Sequence, residues 1–221
     1  MNALQLALAY LRQRPLATAL NVLLLALGVA TITVLLLFSR QVERNLAAGA
    51  EGVDFVIGAK GSPLQLILSS VYHLDTPTGN IPLAEADSVA AHPAVASVIP
   101  LALGDSYHGF RIVGTDSTYV ALYGGRLSAG RLWSGPGEVV LGARVAEAEG
   151  LGVGAAVVSE HGVSAGAAEH GEPLRVVGVL APGAAVLDGL ILTAVGTVWA
   201  VHGLSPEHAA DLPPGFELPP P

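Results

Sequence analysis

The sequence predicts an α+β protein in which one N-terminal transmembrane helix and a stalk lead into a mixed α+β domain. Of the 221 residues, 52% are hydrophobic and 13% are charged, and the mean hydropathy of +0.58 is too high for an ordinary soluble domain. Residues 16–38 contain no charged side chain. The 27 glycines and 15 prolines divide the rest of the chain into short apolar runs, which argues against a long helical bundle.

Residues 1–15 are predicted to form an amphipathic helix. At about 100° per residue, Asn2, Gln5, Arg12 and Gln13 share one narrow sector, while Leu4, Leu8 and Leu11 lie elsewhere. A helix of this kind lies along a membrane surface with its apolar face in the lipid. We expect this one on the cytoplasmic surface.

Residues 16–38 are predicted to cross the membrane. As a helix this uncharged segment is about 34 Å long, which spans a bilayer and exceeds what a buried core helix usually needs. A cleaved signal peptide is the alternative, because Ala48-Gly49-Ala50 has the small-residue form of a cleavage site. The apolar run is longer than a typical signal core and ends some ten residues before that site, so we expect the helix to be retained.

The flanking charges predict the orientation. Arg12 and Arg14 precede the span, whereas Arg40 and Arg44 are offset by Glu43 on the other side. Positive residues favour the cytoplasmic side, so the N-terminus is placed in the cytoplasm and the main domain outside it. Residues 39–52 read as a polar helical stalk that ends at Gly52.

Residues 53–210 are predicted to fold as one α+β domain outside the cytoplasm. Ser62 followed by Pro63 is a helix start, and Gly150 closes a second short helix. The predicted strands are 53–57, 95–103, 107–115, 137–142, 155–160 and 174–181; the predicted helices are 64–72, a segment from Leu83 that ends before Pro93, and 143–149. Residues 188–203 begin as a strand and finish as a helix. Residues 211–221 form a proline-rich tail that cannot pack.

Composition excludes two classes of function. From Glu43 onward, 18 acidic residues face seven basic ones, a formal balance of −11 that disfavours nucleic-acid binding. The chain has no cysteine, so disulfides and cysteine-ligated zinc are also excluded.

No catalytic or cofactor-binding residue is predicted. In GAKGS, residues 58–62, the lysine precedes the second glycine, unlike a phosphate-binding loop, and a tight strand-to-helix turn explains it better. GDSYHG, residues 104–109, has one residue too many for a nucleophile elbow. Ser70, His73 and Asp75 are close in sequence, whereas the members of a catalytic triad are normally distant.

No metal site is predicted either. Glu160-His161 recurs as Glu169-His170, and strands 155–160 and 174–180 could bring the two pairs together at a hairpin. Two histidines and two carboxylates could coordinate a divalent cation. A polar, glycine-rich loop tip is the simpler interpretation, because no third fixed ligand is in sight. The remaining histidines are scattered along the chain: His73, His92, His108, His202 and His208.

Several segments resemble the transmembrane subunits of the MacB, LolC/LolE and FtsX class of ABC transporters. The first is residues 6–37, in which a basic amphipathic lead and Arg-Pro open the span. GRLSAGRLWSGPGEVVLGARVAEAEGLGVGAAV, residues 125–157, is similar to the family's succession of a Gly-Arg turn, strand, short helix and Leu-Gly-x-Gly turn. Residues 174–188 match the strand that follows, and residues 58–73 look like one subgroup of these permeases.

The resemblance implies a MacB-like periplasmic domain in a bacterial inner-membrane permease. Family members work as a homodimer or a pair of permeases with a separate ATP-binding subunit, in export or lipoprotein release. The family has three further spans after the periplasmic domain, and none is present here, so we expect either a truncated permease, cut near the proline tail, or a single-span relative. A membrane-tethered binding or adaptor module and an extracytoplasmic enzyme are the alternatives. The sequence does not indicate the cargo or an outer-membrane partner.

Overall fold

The computed structural model describes residues 2–161, 172–184 and 186–203. The chain divides into two compact units, Met1–Ala47 and Ala48–Pro221. Each unit is described by itself below.

The first unit is helical. Helix α1 (Ala3–Gln13) is separated from helix α2 (Pro15–Ala50) by Arg14, whose backbone leaves the helical region at φ −126°. The proline ring explains the break, because it disfavours a helical conformation in the residue before it. The segments predicted as helices are helical in the structure, and their places on and across the membrane stay predictions. Helix α2 is continuous from Pro15 to Ala50, so no break separates the predicted span from the predicted stalk.

The apolar stretch of α2 is suited to a lipid environment. Its most apolar window of 18 residues has a mean hydropathy of 2.6 and is not buried within the protein. The hydroxyls of Thr31 and Thr33 donate hydrogen bonds to the carbonyls of Leu27 and Val29, both at 2.8 Å. Because a hydroxyl without a partner is costly in hydrocarbon, these internal bonds lower the cost of placing the two threonines in a bilayer.

The second unit is built on a mixed β-sheet. Within the described residues its strands are β1 (Ala102–Tyr107), β2 (Phe110–Thr115), β3 (Leu127–Gly130), β4 (Glu138–Leu141), β5 (Ala156–Val157), β6 (Glu160–His161), β7 (Leu174–Leu180) and β8 (Leu190–Ala194). The strand order is β3-β7-β4-β8-β2-β1-β6, and β5 also pairs with β7. The pairs β2–β8 and β4–β7 are parallel, and the other pairs are antiparallel.

Short helices accompany this sheet. They are α3 (Pro63–Ser70), α4 (Leu83–Ala90), α5 (Ser117–Leu122), α6 (Ala143–Glu149) and α7 (Val195–Val201), with a 3-10 turn at Leu187–Gly189. Ser62 caps α3 by accepting a hydrogen bond from the Gln65 amide at 3.4 Å, and Gly150 ends α6 in the left-handed conformation. Both helix signals that were used as sequence predictions are confirmed.

Both faces of the central strands of the sheet are buried. Successive residues of the central strands alternate between two apolar clusters: Val139 and Ile191 belong to one, Val140 and Leu192 to the other. Alternation arises because neighbouring side chains in a strand point to opposite faces. Since both faces are covered, these strands read in the sequence as unbroken apolar runs.

Three strand predictions need correction. Residues 53–57 do not form a strand; the segment lies against α3, and a Cβ at Gly58 would stand 2.4 Å from Leu66 Cδ1, so the glycine permits a close approach to the helix. Residues 95–103 enter the sheet only at Ala102, after Pro100, which has no amide hydrogen to donate. Residues 155–160 divide between β5 and β6, which pair with different strands.

The predicted strand 107–115 begins too early, because Tyr107 ends β1 and the turn at His108 and Gly109 precedes β2. The remaining predicted elements of the domain agree with the structure to within a few residues, including the strand-to-helix change in residues 188–203. Helix α5 and strand β3 were not predicted. The proline-rich tail at 211–221 lies outside the described residues.

Candidate functional site

The last turn of α2 makes a specific contact within the second unit. The carbonyl oxygen of Gly49 accepts a hydrogen bond from the Tyr123 hydroxyl at 2.9 Å. Gly49 is buried, and a Cβ there would stand 3.0 Å from Cε1 of Tyr72. The glycine therefore lets an aromatic ring approach the helix closely, while Tyr123 satisfies a carbonyl that a helix end would otherwise leave unpaired.

Tyr123 follows a short helix that is fixed at its other end. Asp116 caps α5 by accepting a hydrogen bond from the Thr118 amide at 2.9 Å. Tyr119 lies four residues before Tyr123, so the two side chains meet on one face, edge to face, with ring centroids 5.2 Å apart. Burial raises the pKa of both hydroxyls above the ordinary value.

His73 contacts the buried tyrosine. Its Nε2 lies 2.7 Å from the Tyr119 hydroxyl oxygen, and the two rings are nearly perpendicular. The residue is only 8% exposed, and its Nδ1 is buried without a hydrogen-bond partner among the described residues. Burial, and secondarily the positive charge of Arg111, lowers the pKa of His73 to about 4. The imidazole is therefore neutral at pH 7.

The main chain of His73 is tied to the sheet. Arg111, on β2, donates from Nε to the His73 carbonyl at 2.9 Å and is itself buried. Burial lowers the pKa of the guanidinium, and the negative charge of Asp75 opposes that effect. We call the succession Gly49, Tyr123, Tyr119, His73 and Arg111 the tyrosine–histidine chain. It connects the end of α2 to a central strand of the domain.

An apolar cavity adjoins the tyrosine–histidine chain. It has a volume of about 270 Å³ and lies between the end of α2, the segment that follows it and α3. Asp54 is the only charged residue in its lining, which consists of Ala50, Val53, Asp54, Phe55, Val56, Pro63, Leu66, Ile67 and Val71. Phe55 is 60% exposed, so part of the apolar lining faces solvent.

The residues that the sequence offered as candidates for chemistry have structural roles in the fold. The ring of His73 faces Tyr119, and Asp75 accepts a hydrogen bond from the Thr76 amide, so Ser70, His73 and Asp75 do not form a triad. In the GAKGS loop, the Ala59 carbonyl accepts a hydrogen bond from the Thr78 hydroxyl at 3.0 Å before Ser62 caps α3. This loop is a helix-starting turn.

The GDSYHG segment forms strand β1 and the tight turn into β2. His108 and Gly109 both have positive φ, at 47° and 84°, between the paired residues Tyr107 and Phe110. This is the geometry of a two-residue hairpin turn. It does not expose a nucleophile.

The proposed pairs of histidine and glutamate are only half described. Glu160 and His161 form β6 and pair with β1, whereas Glu169 and His170 lie outside the described residues. Within the described ranges no group of three or more histidine, aspartate and glutamate residues could hold a metal ion. The absence of a metal at the hairpin stays a prediction.

The other described histidines make local contacts. His202 Nε2 lies 3.1 Å from both carboxylate oxygens of Asp105, and this hydrogen bond raises the pKa of His202. His108 pairs with Glu149 at 2.6 Å. His92 accepts a hydrogen bond from the Ala94 amide at 3.2 Å. His208 lies outside the described residues.

Sequence reasoning missed the residues that matter most at this site: Tyr119, Tyr123 and Arg111. One local signal was available, because two tyrosines four residues apart follow an aspartate in a helix-capping position. Nothing local connects this pair to His73 or Gly49.

The family model described as the MacB-like periplasmic core domain matches residues 18–206. The crystal structure of the periplasmic region of MacB from Actinobacillus actinomycetemcomitans is 18% identical, with a TM-score of 0.44; the match covers 66% of this chain and 65% of that one. The extracellular domain of the noncanonic ABC-type transporter YknZ from Gram-positive bacteria is 15% identical, with a TM-score of 0.42, over 71% of this chain and 85% of that one. No curated protein sequence matches.

Proposed function

The chain belongs to the MacB-like periplasmic core domain family, and from this membership we propose that it is a transmembrane permease subunit of an ABC transporter of the export or lipoprotein-release type. The domain is of the kind found in ABC transporter permeases, which are transport components and not classical enzymes. We place its N-terminus in the cytoplasm and its second unit on the periplasmic or extracellular side of a bacterial inner membrane. Its partners are a separate ATP-binding subunit and a second permease chain, identical or paired.

In this function the chain couples ATP hydrolysis in the cytoplasm to movement of the domain outside the cytoplasm. The continuity of α2 from Pro15 to Ala50 carries the proposal, because a helix without a break resists bending along its whole length of about 54 Å. Between Gln41 and Ala48 there is neither glycine nor proline. The hydrogen bond from Tyr123 then holds the helix end at Gly49.

The first test is partner capture in the native host. A tagged full-length chain, with any remaining spans of its gene intact, should copurify with an ATP-binding subunit that has phosphate-binding loops. Its isolation without any ATPase would contradict the permease proposal.

The second test is mechanical. Two glycines inserted after Arg44 should interrupt the helix, since each interior glycine costs about 1 kcal/mol relative to alanine. In the assembled transporter, spin labels at the exposed Leu74 of the two permease chains would report movement of the domains on ATP addition. We expect ATP hydrolysis to persist while the ATP-dependent distance change is lost. An insertion of two alanines has the same length and is the control for the altered helix phase. Full movement with the glycine insertion would contradict the lever.

A single-span, membrane-tethered binding or adaptor module is the second candidate. The apolar cavity with its partly exposed Phe55 favours it, because such clefts bind small apolar ligands or partners. A tether tolerates a flexible insertion. Unchanged function of the glycine variant, together with purification free of any ATPase, would favour this candidate.

A further inference from the structure

We propose that an exposed apolar patch beside α3 docks on the same patch of a second copy of this chain. The patch, which we call the α3 patch, consists of Phe55, Ile57, Leu64 and Ile67. The inference rests on the proposed function only in that a second permease chain is present in the same membrane. It adds the surface at which the domains of the two chains meet.

The α3 patch is a continuous surface. Phe55 and Ile67 line the same apolar cavity, and Ile57 is two residues beyond Phe55. Leu64 lies three residues before Ile67 and therefore on the same side of α3. The exposed fractions of the four residues lie between 43% and 66%, so a large part of each side chain meets solvent.

Exposed apolar side chains are concentrated in this part of the domain. Nine large hydrophobic residues are exposed in the described part of the second unit, and six of them lie in residues 55–83. The other three, Val98, Leu127 and Val153, are far apart in the sequence. Single exposed apolar residues are ordinary on a protein surface, whereas a cluster of them marks a site of contact.

The charges beside the patch indicate what covers it. The domain is acidic, so two copies repel each other wherever carboxylates meet. Residues 55–74 contain no acidic residue, and their one charged residue is Lys60, the only lysine of the sequence. A second copy can therefore approach the α3 patch without this repulsion.

The two charges that flank the patch are also complementary to each other. Asp54 lines the cavity together with Phe55 and Ile67, and Lys60 is exposed two residues before the cap of α3. Neither forms an ion pair with another residue of the described ranges. In a twofold interface every contact occurs twice with the copies exchanged, so Lys60 of each copy can face Asp54 of the other.

A lipid surface is the competing occupant. Attraction to anionic headgroups requires several basic residues close together, whereas Lys60 is accompanied here by Asp54. The observations therefore favour a second copy, which matches the patch in both its apolar character and its charge.

The first experiment is cross-linking through a single cysteine. The chain contains no cysteine, so each introduced thiol reports one position. Leu64→Cys in the full chain, in its native membrane, is treated with a short homobifunctional maleimide. We expect most of the protein to move to twice the chain mass of 22.4 kDa. Ile67→Cys, on the same side of α3, is a second probe that should behave alike.

Val153→Cys is the matched control. Val153 is also apolar and is 52% exposed, but it lies outside the α3 patch. This variant should stay at the mass of one chain. Equal cross-linking of Leu64→Cys and Val153→Cys would overturn the proposal, because it would show random collision of the domains.

The second experiment reverses the charges in the Leu64→Cys background. Lys60→Glu places like charges opposite each other in both contacts and should reduce cross-linking to the level of the control. Adding Asp54→Lys reverses both charges and should restore it. A structural defect would not be repaired in this way, and failure of the second change to restore cross-linking would contradict the pairing of the two residues.

Three further results would overturn the proposal. One is the absence of a dimer with both α3 probes, whether or not Leu20→Cys in α2 cross-links. Another is a product of a different mass, which would show that a different protein covers the patch. The third is labelling of position 64 by a photoactivatable lipid in place of the dimer. Purification without an ATP-binding subunit would remove the permease proposal and leave the cross-linking result as it stands.

Discussion

The buried His73 should make the domain less stable in mild acid. Its pKa of about 4 in the folded protein lies below the ordinary value of 6.5, because burial disfavours the charged ring. Between these two values the unfolded chain binds more protons than the folded one. The stabilising effect of the neutral His73 ring is therefore complete above pH 6.5 and is lost as the pH falls toward 4. The difference corresponds to about 3 kcal/mol, a large part of the 5–15 kcal/mol typical of a folded domain.

His73→Asn isolates this contribution. Asparagine has no titrating group in this range and tolerates the left-handed backbone, which His73 adopts with φ 54°. The full chain in nanodiscs can be followed by hydrogen exchange of the β8 amides, which lie in the middle of the sheet and report opening of the second unit. We expect the free energy of opening to fall by about 3 kcal/mol more in the wild type than in the variant between pH 7 and pH 4.

His202 supplies a control of opposite sign. Its hydrogen bond to Asp105 raises its pKa, so its stabilising effect is complete below pH 6.5 and is lost as the pH rises through the raised value. His202→Gln should consequently lower the stability more in mild acid than at neutral pH. Equal pH slopes for the wild type and His73→Asn would refute the assignment of the acid sensitivity to His73.

Three further predictions concern the rest of the chain. Gly130→Ala should destabilise the domain by about 3 kcal/mol or more, because the new Cβ would stand 2.1 Å from the Val177 carbonyl oxygen in a residue whose φ is +73°. Gly137→Ala, at a φ of +76° but in open space, should destabilise it by only about 1 kcal/mol. Thermal melting of both variants checks this. Chelator treatment should leave the melting temperature unchanged, since the sequence offers no third fixed ligand beside the two pairs of histidine and glutamate; a fall of several degrees would reveal a structural metal. Mass spectrometry of the mature protein should find α2 still joined to the domain. A mature N-terminus at Glu51 would contradict the retention of this helix.

Local patterns were enough to predict most elements of the fold. The uncharged run 16–38 predicts a helix by length, and Ser62-Pro63 and Gly150 mark helix ends through groups that act within a few residues. The apolar runs around Val140 and Ile191 predict strands because both faces of the sheet are covered.

The sequence predictions failed where contacts with residues distant in the sequence decide the local structure. Residues 53–57 have the composition of a strand, but this segment lies beside α3 and lines the apolar cavity instead of joining the sheet. Helix α5 has six residues, which is too short for its periodicity to be recognised. Local reasoning could not assemble the candidate site, because the hydrogen bonds that involve Tyr123, Tyr119 and Arg111 join residues 74, 46 and 38 positions apart.

The polar composition of the tyrosine–histidine chain has a mechanical consequence. Apolar contacts are non-directional, so the cavity wall formed by Val53, Val56 and α3 could tolerate small displacements of the helix end with little change in free energy. A hydrogen bond weakens steeply when its distance or angle departs from the optimum. The bond of 2.9 Å between Tyr123 and Gly49 is therefore sensitive to the position of the last turn of α2. Since an apolar replacement of the same shape can be nearly neutral in stability, what these polar groups add is a defined register between the end of α2 and the sheet. The lever that we propose for α2 requires such a register at its point of attachment.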